Sequence, residues 1–248
     1  MKNILKYLVV ITLFFSCDSE DAGDCFQTAG KIIQQEISVE SFDKIIINER
    51  ISLVLKEGPI QKIIIETGEN LMNDIKISVI NNQLIATNNN KCNFVRGYGL
   101  TKIFVTSPSI TEIRNSSNLE VISDGILTYP SLNIISEDYL SDYLNTGDFN
   151  IEVNNTTTRI VSNGISNFYI QGTTTNLNIF FAAGDSRFEG KNLIATNVQA
   201  TNKSSNDILV NPQNKIEGAI FSLGNIIAFN HPTIVNVIEH YKGKLIFK

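Results

Sequence analysis

From about Ile110 the chain repeats a short pattern every 20 residues or so, and a repeat of that length restricts how apolar side chains can be buried. Each unit is an apolar run followed by a small or polar corner. The units are Ile134-Ile135-Ser136-Glu137-Asp138, Ile160-Val161-Ser162-Asn163-Gly164, Phe180-Phe181-Ala182-Ala183-Gly184-Asp185, Gln199-Ala200-Thr201-Asn202-Lys203 and Ile220-Phe221-Ser222-Leu223-Gly224-Asn225. Aligned on Ser136, Ser162, Ala182, Thr201 and Ser222, they lie 26, 20, 19 and 21 residues apart, and Ser116 extends the series back by 20. A second column keeps step. Asn145-Thr146, Gln171-Gly172, Glu189-Gly190, Val210-Asn211 and Phe229-Asn230 each close an apolar run, with second members 26, 18, 21 and 19 apart. The long first interval in both columns points to an insertion of about six residues around Asn150–Thr158.

A unit this small cannot bury an apolar face alone, so the units must stack. Stacking places Ile135, Val161, Phe181, Ala200 and Phe221 above one another, about 4.8 Å apart. Ser, Thr, Asn, Gly and Asp fall at corners, where side chains ladder between coils and Gly or Asn takes unusual backbone angles. Abundant Ile, Asn, Thr and Ser, sparse Ala and the absence of Trp agree with a β-rich, turn-rich chain. The expected fold is all-β: a parallel β-helix-like solenoid of about 20-residue coils over 110–235, within one domain spanning 31–248. A β-sandwich with strands at similar spacing is the alternative. Strands at Val235–Ile238 and Lys244–Phe247 are placed to cover the last open coil.

The preceding part, 31–109, is also strand-rich. Runs at Lys44–Asn48, Ile51–Lys56, Lys62–Thr67, Ile75–Ile80, Gln83–Thr87 and Lys102–Thr106 carry the signal, several with alternating apolar residues. Asn81-Asn82 between two runs fits a tight hairpin, because Asn tolerates positive φ. Glu69–Asp74 reads as a single helical turn. The polar stretch Asn88–Gly99, with Phe94, Arg96 and Tyr98, is a loop held by Cys92 or a ligand contact.

The first 16 residues read as a signal peptide: Lys2 and Lys6, an apolar Tyr7–Phe15, and Ser16 before Cys17. The apolar run is too short to span a bilayer, which takes about 20 residues. Cleavage before Cys17 with lipid added to its thiol is the expected fate. Phe14 and Phe15 depart from the usual lipobox, and a plain secretory signal with an incidental cysteine is the alternative. Loss of the leader leaves 232 residues with 18 basic against 25 acidic side chains, a formal charge of −7. That balance excludes nucleic acid as a partner. Residues 17–30 read as an acidic tether. Its Asp18-Ser19-Glu20-Asp21 resembles signals that carry lipoproteins to the surface of some Gram-negative bacteria, or is a solvated linker. Cys25 and Cys92 remain. In an oxidising compartment they are expected to form a disulfide, closing a loop of about 67 residues, rather than stay as separate thiols. No Cys/His cluster has metal-ligand spacing, and no cofactor is implied.

The leader with Cys17–Gly30, the stretch Lys91-Cys92-Asn93-Phe94-Val95-Arg96, the repeated Ser/Gly corners and the closing Gly224-Asn225-Ile226-Ile227, His231-Pro232 and Gly243-Lys244-Leu245-Ile246 resemble the head GIN domain family of putative auto-transporter adhesins. The likeness covers nearly all of the mature chain. It implies a right-handed solenoid, outer-membrane or surface placement, and no catalytic residues to transfer. The family's Ser-Gly-Ser-Gly corner is degraded here to Ser-Glu-Asp, Ser-Asn-Gly, Ala-Ala-Gly-Asp and Ser-Leu-Gly-Asn.

The expected function is a lipid-anchored, non-enzymatic envelope protein at the outer membrane or cell surface of a Gram-negative bacterium. The membrane is its partner through Cys17, with a surface glycan or protein as the contact. Tyr139, Tyr143 and Tyr169 are candidate stacking residues, with Arg159 and Arg187 as candidate polar contacts; packing at the solenoid flank is the bland alternative for the tyrosines. A polysaccharide lyase or hydrolase would need Asp138, Asp142 or Asp185 to meet an Arg in a cleft, whereas corner aspartates are usually turn formers. His231 and His240 permit a Ser-His-Asp arrangement only in principle. A structural envelope protein without a small ligand is the third reading.

Overall fold

The computed structural model describes residues 23–90, 92–137 and 144–248. Among them are seventeen strands in one curled, mixed sheet. They are β1 (Ile32–Ile37), β2 (Lys44–Asn48), β3 (Ser52–Glu57), β4 (Lys62–Gly68), β5 (Ile75–Ile80), β6 (Gln83–Asn88), β7 (Lys102–Ser107), β8 (Glu112–Ser116) and β9 (Val121–Leu127). The series continues with β10 (Ser131–Ser136), β11 (Phe149–Ser162), β12 (Asn167–Phe181), β13 (Arg187–Asn202), β14 (Ile208–Ile220), β15 (Ile226–Ala228), β16 (Ile234–Glu239) and β17 (Leu245–Phe247). A 3-10 turn at Glu69–Asp74 precedes β5, as expected.

The sheet has two walls. The first runs β1, β4, β7, β3, β9, then the first halves of β11 to β14, then β15 and β17. The second runs β5, β6, β2, β8, β10, then the second halves of β11 to β14, then β16. Strand alternation turns every second side chain inward. Along the first wall Leu53, Val121, Phe149, Phe168, Phe188 and Ile208 fall in register, and all are buried. Along the second, Ile45, Ile113, Ile134, Ile160, Ile179 and Ala200 do the same. Phe149 and Phe168 stack at 4.8 Å, and Phe168 reaches Phe181 on the other wall at 5.8 Å. The walls therefore enclose one continuous core.

From β11 onward, neighbouring strands are parallel and offset by 17–21 residues, for example Phe149 to Phe168 and Ile226 to Leu245. The sheet is not parallel throughout. β1–β4, β4–β7 and β5–β6 are antiparallel, and all three pairings lie at the N-terminal end. Nor does the N-terminal part simply precede the repeat. β2 sits between β6 and β8, and β3 between β7 and β9. The Asn81-Asn82 hairpin forms as expected, with φ of 52° and 61°.

The repeat is real, but its register differs from the sequence alignment. Ser136 pairs with Ser162, which pairs with Phe181, then Asn202 and Ile220. Ala182, Thr201 and Ser222 are therefore one or two residues out of line. The expected stack of Ile135, Val161, Phe181, Ala200 and Phe221 mixes two faces of the wall. Ile135 and Val161 align with outward Phe180 and Thr201, while Ala200 aligns with inward Ile179 and Ile160. A slip of one residue exchanges faces, and the corner serines alone did not fix the parity. The insertion is also elsewhere. β11 runs unbroken through 150–158, and the extra length lies between Ser136 and Phe149, where later corners need only four or five residues. In the second column Gly172 aligns with Val153, not Thr146. Its φ is +107°, and a Cβ there would collide with the Val153 carbonyl oxygen.

The corner serines are structural. Ser136, Ser162, Ser166, Ser186 and Ser204 are buried. Ser136 and Ser166 share a hydrogen bond of 2.7 Å, as do Ser162 and Ser186, and the Ser204 hydroxyl donates to the Ser186 carbonyl at 2.8 Å. Each buried hydroxyl is satisfied by its neighbour, so the column holds turns together instead of facing solvent.

The tail strands form where expected and lie on the last coil. β16 pairs in parallel with β14, and β17 with β15, so both add one more layer and leave their own outer edges open. At the other end the Cys25–Cys92 disulfide is present. Residues 23–30, expected as the far end of a tether, pack on the body. Gln27 is buried and bonds through its amide to the Asn70 carbonyl at 2.9 Å, and accepts from Asn90 Nδ2 at 3.0 Å. Arg96 donates to the backbone carbonyls of Asp24, Gln27 and Cys92 at 2.6–2.8 Å and to the Asn90 side chain. Burial lowers its pKa from the ordinary value, opposed by Asp24 and Asp74. One guanidinium thus ties the segment after the leader to the loop that follows β6.

Candidate functional site

The outer face of the second wall carries a regular polar surface. Alternation sends Thr157, Asn176, Asn197 and Lys215 outward in one register row, and Arg159, Asn178, Gln199 and Glu217 in the next. They line a shallow depression of about 300 Å³, with Arg159 at its end. Part of the lining is internally bonded. Asn197 Nδ2 donates to Asn176 Oδ1 at 3.1 Å, Asn214 Nδ2 to Asn197 Oδ1 at 3.2 Å, and Lys215 Nζ to Glu217 Oε1 at 2.9 Å. The Arg159, Asn178 and Gln199 side chains make no hydrogen bond or ion pair within the described residues. Each amide offers both a donor and an acceptor. Lys215 and Glu217 neutralise each other, which leaves a hydrogen-bonding surface with one free cation, Arg159, among its described lining and end residues.

A second feature lies at the N-terminal end. The loop held by Cys92 and Arg96 presents Phe94 and Tyr98 to solvent, 74% and 81% exposed, and Phe26 meets Phe94 at 5.8 Å. Beneath it is a cavity of about 190 Å³, lined by Arg50, Asn88, Asn90, Tyr98 and Leu119 among others. That volume is below the roughly 300–1,000 Å³ usual for small-molecule sites. The loop therefore offers an exposed aromatic tip, not an enclosed pocket.

Of the residues singled out from the sequence, those that are described do not converge. Cys17, Asp138, Tyr139, Asp142 and Tyr143 lie outside the described residues. Tyr169 is on the outer face of the first wall, and Arg159 on the second. Arg187 shares Tyr169's face but is engaged: its Nε meets Glu189 at 2.6 Å and its Nη1 meets Asp207 at 3.6 Å and Asn206 at 3.1 Å. Asp185 sits at an exposed corner, where its carboxylate accepts from Ser205 at 2.6 Å. Among the described candidates, Asp185 pairs with neither Arg159 nor Arg187. His231 stacks on Phe247 and His240 on Phe221, both at 4.3 Å, so each imidazole serves packing between layers. Among the described residues no group of three His, Cys, Asp or Glu is placed to hold a metal, and no helix is long and apolar enough to cross a membrane.

The amide rows escaped the sequence reading because its columns were anchored on the corners. The signal was present: Asn176, Asn197 and Asn178, Gln199 recur at spacings of 21.

A family model described as "Putative auto-transporter adhesin, head GIN domain" matches residues 41–232. The chain belongs to the head GIN domain family. Solved structures extend the likeness beyond the family match. A putative adhesin from Bacteroides fragilis is 22% identical, with a TM-score of 0.78, covering 89% of this chain and 99% of that one. A putative lipid binding protein from Parabacteroides distasonis is 15% identical, with a TM-score of 0.63 and coverage of 88% and 97%. A putative adhesin from the same species is 13% identical, with a TM-score of 0.60 and coverage of 89% and 99%. At these identities the likeness is one of fold. No curated protein sequence matches the chain. For a head GIN domain protein, the repeated corner that carries the family resemblance is here an interior hydrogen-bonded column, which moves attention from the corners to the outer walls.

Proposed function

We propose that this head GIN domain protein is a lipid-anchored, non-enzymatic module that displays a rigid β-solenoid at the cell surface and binds a hydroxyl-rich glycan along the second wall. The observation that carries the reading is the in-register set Arg159, Asn178 and Gln199, outward and unengaged beside the Asn176–Asn197 row. Rows of amides about 4.8 Å apart suit a polymer that offers hydroxyls along its length. The solenoid reading is supported by the narrow range of parallel offsets, 17–21 residues, from β11 to β17 on both walls. Right-handed coiling follows the general preference for crossovers between parallel strands. Anchoring rests on the leader and Cys17.

Two experiments test this. On a glycan array and in a cell-adhesion assay, the wild-type protein should bind, and the Arg159→Ala, Asn178→Ala, Gln199→Ala triple variant should lose most of that binding while its disulfide and circular dichroism stay unchanged. Absence of wild-type binding, or full binding by the triple variant, contradicts the site. Palmitate labelling in cells should vanish in Cys17→Ala; labelling that persists contradicts the anchor.

A further inference from the structure

The C-terminal edge of the second wall is open and uncharged along β16. β16 is exposed nearly throughout: Ile234 is 48% accessible, Val235 40% and Ile238 56%. Val235 and Val237 occupy core positions, in register with Ile216 and Gly218, yet nothing lies beyond them among the described residues. Phe247 of β17, in register with Ala228, is partly exposed, with its ring against His231. Natural sheets protect such edges with charges, prolines or covering segments. From Ile234 to Ile238 there is neither a charge nor a proline. The nearest charge, Glu239, folds back: its carboxylate accepts from Lys244 Nζ at 2.8 Å and from the Leu245 amide at 2.9 Å. That leaves the edge clear.

The edge sequence is a palindrome, Ile234-Val235-Asn236-Val237-Ile238. We propose that β16 pairs antiparallel with β16 of a second copy of this chain, about a twofold axis through Asn236. In that register Ile234 lies opposite Ile238 of the partner subunit, and Val235 opposite Val237 of the partner subunit. Both valines face the core and both isoleucines face outward, so each side of the combined sheet keeps its character. The pairing is isologous, as a twofold contact requires. It also closes at two copies. At the opposite end β1 and β5 are edge strands too, but β1 carries Gln34, Gln35 and Glu36 and β5 carries Lys76, so neither offers an uncharged, self-complementary edge like β16. With only one adhesive end, no head-to-tail filament forms. This inference does not depend on the glycan reading, which concerns the outer face of the second wall.

Cysteine scanning in cells that export the full chain tests it. Asn236→Cys should give a covalent dimer on non-reducing gels, because the two residues meet at the axis within disulfide reach. Gln35→Cys on β1 should stay monomeric. In sedimentation of the purified protein, the wild type should run as a dimer. Asn236→Lys, which sets like charges opposite each other but lies outward beside Glu217, should weaken association roughly tenfold or more with the fold intact. A wild type that stays monomeric at about 100 μM, placing any Kd near the millimolar range, overturns the proposal. So does cross-linking through position 35 in place of 236, or an Asn236→Lys variant that associates as tightly as the wild type.

Discussion

At the N-terminal end of the stack, antiparallel strands, a 3-10 turn and a disulfide-held segment lie over the core; at the C-terminal end, β16 and β17 leave it open. From β11 onward the strands are parallel at similar offsets, each layer resting on the one before. The difference shows that a parallel stack has no intrinsic way to stop. Each added layer buries the apolar positions beneath it and exposes a fresh set. At the N-terminal end the chain stops by reversing direction: β4, β5 and β1 run against their neighbours, and Gln27, Asn70, Asn90 and Arg96 fill the end with satisfied polar groups. At the C-terminal end Val235 holds a core position with no covering strand among the described residues.

The comparison can be broken most severely at the staple. Cys92→Ser removes a cross-link closing 67 residues, with an expected loss of about 4 kcal/mol by the chain-entropy relation. Urea unfolding should show it, and limited proteolysis should cut first within 23–30 and 93–100. An unchanged midpoint would mean that the polar knot alone closes the end. A sharper test sets two core truncations side by side. Leu53→Ala, in a fully buried row, should cost about 2–5 kcal/mol, whereas Val237→Ala in the open layer should cost less than about 1 kcal/mol in the monomer. Equal costs would mean that the C-terminal layer is as well covered as the interior. The smallest effect concerns acid. Hydrogen bonds from Lys244 and Leu245 hold the Glu239 pKa below its ordinary 4.5. A carboxylate depressed in the folded state stabilises above its ordinary pKa, and that contribution disappears as pH falls through the folded value. The β16–β17 connection should therefore loosen below pH 4.5, seen as faster amide exchange there, while Glu239→Gln should be insensitive over the same range.

Much of this asymmetry was hidden in the sequence, while the strands were not. Alternation located β2, β5 and β6 nearly to the residue, because one face of each is buried and period two is then unmistakable. Asn81-Asn82 announced its hairpin through positive φ. The 20-residue period announced parallel stacking. Register was harder. Serine suits a buried ladder and an exposed turn equally well, so aligning on Ser136 and Ser222 could not choose the face, and the order in which β2 and β3 nest between later strands left no local mark. The polar knot was illegible for a related reason: Gln27 and Arg96 are far apart in the chain, and nothing near either one tells that they meet. The amide rows recur with the period, but only the correct parity puts them outside.

Amide hydrogen exchange measured across a range of protein concentrations most directly tests the claim that the C-terminal edge is adhesive and the N-terminal one is not. Exchange within Ile234–Ile238 should slow as concentration rises, while exchange within Ile32–Ile37 of β1 stays constant. Concentration-dependent protection of β1, or none at β16, would contradict it.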